Sequence, residues 1–349
     1  MADTAIEWAH KVWNFIAGCD LESPGCTNCY AMPFAARLAR MNPGLTHYRG
    51  LTKPSKAGPI WTGKIGIAGD ATFLAPLRWK KPARIFVNSM ADLFHPAVPD
   101  EIIDRAFAIM ALCPQHTFMV LTKRSARMRT YFAGIPEAPS ESYMRSALIE
   151  GAAQSIYAGL HPGDDPSMWL AVHMPLSNVW LGVSVEDQTR ADERIPDLLE
   201  TPAAIRWISA EPLLGPLDLH EVIPDALIYN FVHGRRGLDL VIVGGESGRN
   251  ARPMHPDWVR QVRDQCVAAD VPFFFKQWGT WFPKIDRDLD DPDWRERYSK
   301  YDWPDFRILN LAGGHGFHGE RVHVMARQSK KNSGRLLDGR TWDQMPRAA

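Results

Sequence analysis

Ile85-Phe86-Val87-Asn88 is an apolar run of strand character, and it breaks off in the polar group Ser89-Met90-Ala91-Asp92. The same figure repeats along the chain. Phe118 to Leu121 leads into Thr122-Lys123-Arg124, Val179 to Val183 into Ser184-Val185-Glu186-Asp187, and Ile205 to Ser209 into Ala210-Glu211-Pro212. Leu240 to Val243 leads into Gly244-Gly245-Glu246-Ser247, and Pro272 to Phe275 into Lys276-Gln277-Trp278. Between these runs lie stretches with helical spacing. From Asp100 to Leu112, Ile103, Phe107 and Met110 recur after Pro99, and from Pro256 to Ala269, Trp258, Val262 and Cys266 share a stripe. Continuously apolar strands that alternate with amphipathic helices predict an α/β fold with a parallel sheet covered by helices. Polar residues at a strand exit are ordinary in such proteins, but six exits in succession with charged side chains point to one shared pocket. That is the arrangement of a partial (β/α) TIM-like barrel of parallel strands, whose active site lies at the C-terminal strand ends.

At 349 residues the chain exceeds the usual single domain, yet α/β barrels reach this length through insertions. One domain over residues 1–349 is therefore expected, with an insertion at about 136–176 and a C-terminal extension at about 282–349. The insertion is acidic, and its middle, Glu141 to Leu160, predicts a helix in an excursion from the barrel. Asp286 to Asp305 is rich in Asp and Trp and reads as an exposed loop or lid. No internal repeat or low-complexity tract is visible. Nothing approaches the roughly 18 consecutive apolar residues of a membrane span, so no membrane partner is expected. The opening MADTAIEWAH has neither a basic n-region nor an apolar h-region, and a cytoplasmic location follows as the expectation. Oligomeric state leaves no signature in the sequence.

Net charge is zero but unevenly spread. Arg37 to Arg84 holds ten Lys or Arg against Asp70 alone, while Pro136 to Thr201 holds eleven acids against Arg145, Arg190 and Arg194. The basic segment suits a polyanion such as DNA or RNA, and equally suits solvated helices and loops. Tyr48, Trp61, Phe73 and Trp79 interleave with it, which fits base stacking as well as core packing.

Five cysteines, three of them within eleven residues, make a poor disulfide framework and a good metal site. Cys19, Cys26 and Cys29 precede the periodic segment Tyr30 to Met41, which places them on a loop that leads into a helix. Three thiolates there could bind three irons of a [4Fe-4S] cluster and leave the fourth iron open. A structural zinc site needs a fourth ligand, and neither His10 nor His47 has finger-like spacing. Cys113 and Cys266 stand in apolar helical surroundings as buried thiols.

The strings Trp13-Asn14-Phe15-Ile16-Ala17-Gly18-Cys19 and Ser23-Pro24-Gly25-Cys26-Thr27-Asn28-Cys29-Tyr30-Ala31 resemble the phage Gp37/Gp68 family. So do FVNSMADLFHPAVP (86–99), FMVLTKR (118–124), LGVSVEDQ (181–188), ISAEPLLGPL (208–217), VGGESGRNARPMHPDWVR (243–260), FFFKQWG (273–279) and GRLLDGRTWDQMP (334–346). More distantly the same strings resemble the spore photoproduct lyase branch of the radical S-adenosylmethionine superfamily. Phe15 stands where that branch has proline, and six residues rather than three separate Cys19 from Cys26. The resemblance implies a barrel of radical SAM type, a [4Fe-4S] cluster on Cys19, Cys26 and Cys29, and S-adenosylmethionine as cofactor. By order and setting, Ser89, Lys123 and Ser184 match the branch's cofactor-holding positions, and Tyr30 matches the aromatic beside the last cysteine. Lys123 would then pair with the cofactor carboxylate; its alternative is a salt bridge to an acid such as Glu211. Gly244-Gly245-Glu246 comes too late in the chain to match the superfamily's glycine-glycine-glutamate. Glu246 is kept as a pocket acid, beside the bland alternative of a tight turn with a capping glutamate. Glu246, Glu211 and Asp92 are the candidate catalytic acids, with Glu186, Lys276 and Gln277 also on the substrate side. The residue that returns a hydrogen atom is unassigned.

The expected function is a lyase-like radical enzyme that generates a 5′-deoxyadenosyl radical and acts on nucleic acid, repairing or modifying a base. An electron donor such as flavodoxin or ferredoxin would be its partner. The alternatives are a radical enzyme on a peptide or small molecule, and a non-catalytic scaffold stapled by zinc.

Overall fold

The computed structural model describes residues 3–133, 144–222, 237–288, 305–312 and 321–346. Seven parallel strands form the main sheet: β1 (Lys11–Trp13), β2 (Arg84–Val87), β3 (Thr117–Thr122), β4 (Val179–Ser184), β5 (Ile205–Ala210), β6 (Leu240–Gly244) and β7 (Phe273–Gln277). They stand side by side in chain order, as right-handed crossovers through covering helices produce. Because β1 and β7 are the two ends of this order, the sheet is a half-barrel. The six strands expected from apolar runs are all present, within a residue or two of their expected ends. β1 escaped notice because Lys11-Val12-Trp13 is too short to show a pattern; its pairing with β2, Val12 opposite Phe86, defines it.

The helices longer than four residues are α1 (Ala31–Met41), α2 (Asp100–Ala111), α3 (Ser125–Phe132), α4 (Met144–Leu160), α5 (Gln188–Glu200) and α6 (Pro256–Ala268). Alternation along the strands divides the core in two. In β4, Val179, Leu181 and Val183 join the large core beneath the helices, while Trp180 joins a second cluster on the inner face with Trp207, Ile242 and Phe274. Burial on both faces explains why the strands read as continuously apolar. Inside the half-barrel Trp207 lies across Gly182, where a β-carbon would come within 2.5 Å of the indole. The half-barrel's inner face is covered by the N-terminal segment, whose Trp8 packs on Phe86 and Trp207 with ring centroids 4.7 and 5.3 Å away.

The sheet edges are covered as well, which blocks pairing with other chains. Asp3 bridges to Lys11 on β1, and the C-terminal tail lies along β7, where the Phe275 amide donates to Trp342 O over 2.9 Å. After β7 the chain builds a separate antiparallel sheet from β8 (Trp281–Asp288), β9 (Phe306–Leu309) and β10 (Arg321–Arg327), in the order β8-β10-β9. The expected loop at Asp286–Asp305 thus begins inside a strand, and residues 289–304 lie outside the described residues. In the expected insertion, residues 134–143 are likewise outside them. Its helix α4 belongs to the main helical layer, with Ile149 and Ala153 buried in the large core and Arg145 paired to Asp104 of α2 at 3.0 Å. Among the described residues no helix is long and apolar enough to cross a membrane.

Candidate functional site

A cavity of about 500 Å³ opens at the C-terminal ends of the seven strands. Its wall includes Cys19, Cys26, Cys29, Tyr30, Ser89, Lys123, Ser184, Asp92, Glu211 and Glu246, together with Lys276 and Gln277; of the residues that the sequence assigns to the site, Glu186 alone is not on it. Parallel strands in chain order bring these positions to one place although they are up to 227 residues apart. The volume is that of an ordinary small-molecule pocket.

The cysteine loop runs from β1 to α1. Gly18 opens it at φ +97°, where a β-carbon would come within 2.1 Å of Lys64 O, so the turn admits only glycine. Cys26 ends a single 3-10 turn, Pro24–Cys26, and Cys29 stands two residues before α1. Cys19 and Cys29 pack against an apolar bed that includes Ala31, Met32, Ala35 and Trp61. Burial pushes the Cys19 thiol up to about 12, with the Asp92 carboxylate adding to it and Arg124, 3.8 Å from the sulfur, opposing it. Burial raises Cys29 too. Half-buried thiols whose ionisation is disfavoured in this way become thiolates when a cation takes the proton's place. Three soft donors in an apolar shelter fit an iron–sulfur cluster. They do not make a complete zinc site, because no histidine and no fourth cysteine is found among the described residues of the wall.

Four strand exits grip this loop. At the exit of β4, Glu186 is fully buried and accepts from the Gly25 amide at 3.1 Å and from the Ser23 hydroxyl. Its other oxygen meets Lys123 at 3.2 Å and Arg194 of α5 at 3.1 Å. Burial alone would raise the Glu186 carboxyl, but Lys123 and Arg194 hold it below its usual range. Glu186 therefore lies behind the wall and fastens the loop, instead of facing substrate. At the exit of β6, Glu246 accepts from Asn28 Nδ2 at 3.0 Å and is chelated by Arg252, whose guanidinium also donates to Pro24 O at 3.0 Å. At the exits of β2 and β3, Asp92 accepts from Thr122 Oγ1, the Lys123 and Phe94 amides and Arg124 Nη1, at 2.7 to 3.1 Å. Arg124 in turn reaches Asp20. With both oxygens doubly engaged, Asp92 orients Arg124 and the strand ends.

The rest of the wall is polar and partly uncommitted. Tyr30 donates to Ser89 O over 3.0 Å, and Ser89 Oγ donates to Asn14 Oδ1 over 3.1 Å. Lys276 takes both oxygens of Glu211, at 2.7 and 2.8 Å, so the acid named as an alternative partner for Lys123 belongs to Lys276. Asn88, at the left-handed φ of 57°, accepts from the Ile16 amide while its buried Nδ2 finds no partner. Gln277 Oε1 and Trp8 Nε1 are also buried without one. Unpartnered buried polar atoms cost free energy, and on a cavity wall they mark where ligand atoms can bond. Asn14, Asn28, Asn88 and Arg252 escaped the sequence reading, although Asn28 lies between two of the cysteines and Asn88 directly precedes a polar strand exit.

The basic segment wraps the cysteine side of the cavity. From Ser23 to Gly69 it contains no carboxylate, and Arg37, Arg40, Arg49, Lys53, Lys56 and Lys64 are exposed. Of its aromatics, Tyr48 and Phe73 are buried in the cores, Trp79 packs against the large core, and Trp61 is buried on the cavity wall. They serve packing, and the surface they support carries the charge.

No curated protein and no solved structure matches the chain significantly. Its sequence matches a family described as a protein of unknown function, DUF5131, over residues 3–346, and the chain belongs to that family.

Proposed function

We propose that this protein is a radical S-adenosylmethionine enzyme acting on nucleic acid, of the kind that its resemblance to the Gp37/Gp68 and lyase-branch sequences implies. The observation that carries the reading is the meeting of Cys19, Cys26 and Cys29 with Tyr30, Ser89, Lys123 and Ser184 on one cavity wall, at the C-terminal end of a chain-ordered parallel half-barrel. Three cysteines, with no fourth cysteine and no histidine among the described residues of the wall, would leave one iron of a [4Fe-4S] cluster open to S-adenosylmethionine, and the pair would supply a 5′-deoxyadenosyl radical for hydrogen abstraction. The chain's own part is positioning. Glu186, Glu246 and Arg124 fix the loop, Asn88 Nδ2 and Gln277 Oε1 offer bonds to a polar ligand, and the packed Trp207 layer closes the floor against water. Lys123 would leave Glu186 to Arg194, Ser23 and Gly25 when it turns to a cofactor carboxylate. The exposed, carboxylate-free basic segment beside the cavity favours a polyanionic substrate.

The test is anoxic reconstitution with iron and sulfide, reduction with dithionite, and assay of S-adenosylmethionine cleavage to 5′-deoxyadenosine with DNA or RNA present. Production that is lost in Cys29→Ala is expected. A chain that takes up no iron, and that holds zinc which Cys29→Ala releases, would refute the radical mechanism and leave a zinc-stapled scaffold.

A further inference from the structure

A second cluster of metal-ligating side chains lies outside the cavity, where the C-terminal sheet meets the N-terminus of α6. His255 is the N-cap of α6, Asp257 stands in its first turn, and His323 lies on β10. Among the described residues, these three alone bring three metal-ligating atoms within 4.8 Å of one another. Both imidazoles are almost fully buried, with 1% of each exposed, and their rings meet edge to face at 4.2 Å between centroids. His255 Nδ1 accepts from the Asp257 amide over 3.1 Å, which turns the other nitrogen inward. That Nε2 is buried and has no hydrogen-bond partner.

The geometry points to a zinc site formed by His255 Nε2, His323 Nε2 and Asp257 Oδ2. His323 Nε2 lies 3.0 Å from Asp257 Oδ2, close to the roughly 3.3 Å between neighbouring ligands of a tetrahedral zinc with bonds near 2.0 Å. The far nitrogen of the same ring, Nδ1, lies 3.0 Å from Asp286 Oδ1 on β8. A carboxylate hydrogen-bonded behind a ligating histidine fixes its tautomer, and Asp286 stands at that distance, with Nδ1 not aligned to it as a hydrogen bond. Arg260 takes Asp257 through the other oxygen, Oδ1, at 2.8 Å and also binds Asp286, so Oδ2 stays on the histidine side. Asp257 also borders an open surface hollow with His220, Arg260, Gln261 and Asp264. The fourth position would be water. Two imidazoles and a carboxylate select zinc over magnesium or calcium, which prefer all-oxygen sites. The site joins α6 of the half-barrel to β10, so bound zinc would staple the C-terminal sheet to the barrel.

The test uses the full chain with Cys19, Cys26 and Cys29 changed to serine, so that zinc uptake reports this site alone. Calorimetric titration with zinc chloride is expected to give one zinc per chain, and zinc is expected to raise Tm. His255→Asn keeps an acceptor for the helix cap while removing Nε2, and should weaken zinc at least tenfold with an unchanged circular dichroism spectrum. A folded serine chain that takes up no zinc, or a His255→Asn chain with parental affinity, overturns the proposal. If the serine changes unfold the chain, the otherwise unaltered protein loaded with zinc should lose one equivalent on His255→Asn, and equal content in the two would be equally decisive against it.

Discussion

Asn28, directly before Cys29, donates its side-chain amide to Glu246 over 3.0 Å, and so the cysteine loop is tied to the exit of β6 across 218 residues of sequence. Glu246 is itself held by Arg252, which returns a bond to Pro24 O. The loop is thus sewn to the barrel at both ends of its last turn. Its conformation belongs to the fold and does not wait for a metal to impose it, which is what preorganisation of ligands requires.

Asn28→Ala removes two bonds, one to Asn250 O at 2.9 Å and one to a charged acceptor that Arg252 still satisfies. The expected cost to stability is about 1 kcal/mol, because the site is only partly buried. The larger effect falls on metal loading, with iron per chain after anoxic reconstitution reduced at least by half. Undiminished iron in the variant would remove Asn28 from the organisation of the loop.

Glu186→Gln tests the other anchor. Glu186 and Arg194 are both buried, so neutralising the acid strands a guanidinium without its counter-charge, a change that costs about 3–5 kcal/mol. Urea denaturation should show a lowered midpoint with an unchanged slope, and the folded variant should take up less iron although all three cysteines remain. A variant as stable as the parent would mean that Ser184 O, which already accepts from Arg194 at 2.8 Å, suffices for it.

Six of seven barrel strands were legible because burial on both faces makes them continuously apolar, and the site was legible as a set of polar exits because parallel strands point one way. The limits are physical too. Lys11-Val12-Trp13 becomes a strand only through its partner, and β8 to β10 carry mixed polar sequence, as in Arg321-Val322-His323-Val324. The chemistry of each exit was less legible than its place. Glu186 and Glu211 both follow a strand and look alike in sequence, but one is sealed beneath the loop against Arg194 and the other faces the cavity beside Lys276. Pairing between strand ends is a tertiary fact, and no local pattern encodes it.

The two lysines of the wall should therefore separate. Lys123→Met is expected to weaken S-adenosylmethionine binding about tenfold in equilibrium dialysis, roughly 1.4 kcal/mol, and to leave iron content unchanged. Lys276→Met frees Glu211 and should leave that affinity within about twofold, since its partner lies toward β5. Equal losses in both variants would mean that the wall responds to net charge and that Lys123 has no specific partner in the cofactor.

Trp207→Ala should be the most destabilising single change in the barrel interior. The indole is fully buried, lies across Gly182 and meets Trp8, so truncation opens a cavity between them; the expected cost is about 3–5 kcal/mol. A calorimetric loss below about 1 kcal/mol would show that Trp8 can collapse into the gap.

Charge reversal on the basic segment bears on what the cavity serves. Lys53, Lys56 and Lys64 are exposed, lie in the stretch without a carboxylate and line no part of the cavity, so replacing all three by glutamate should spare the cysteine loop and the cofactor wall. If the segment tracks a phosphate backbone, each contact contributes about 0.7 (single strand) to 0.9 (duplex) to the slope of log affinity against log salt. Loss of three contacts then lowers that slope by about 2 to 3, with 5′-deoxyadenosine formation in the absence of nucleic acid unchanged. A triple variant with the parental slope would place the polyanion elsewhere and favour a peptide or small molecule. Loss of the uncoupled cleavage as well would mean that the segment supports the loop, because Gly18 packs directly against Lys64 O.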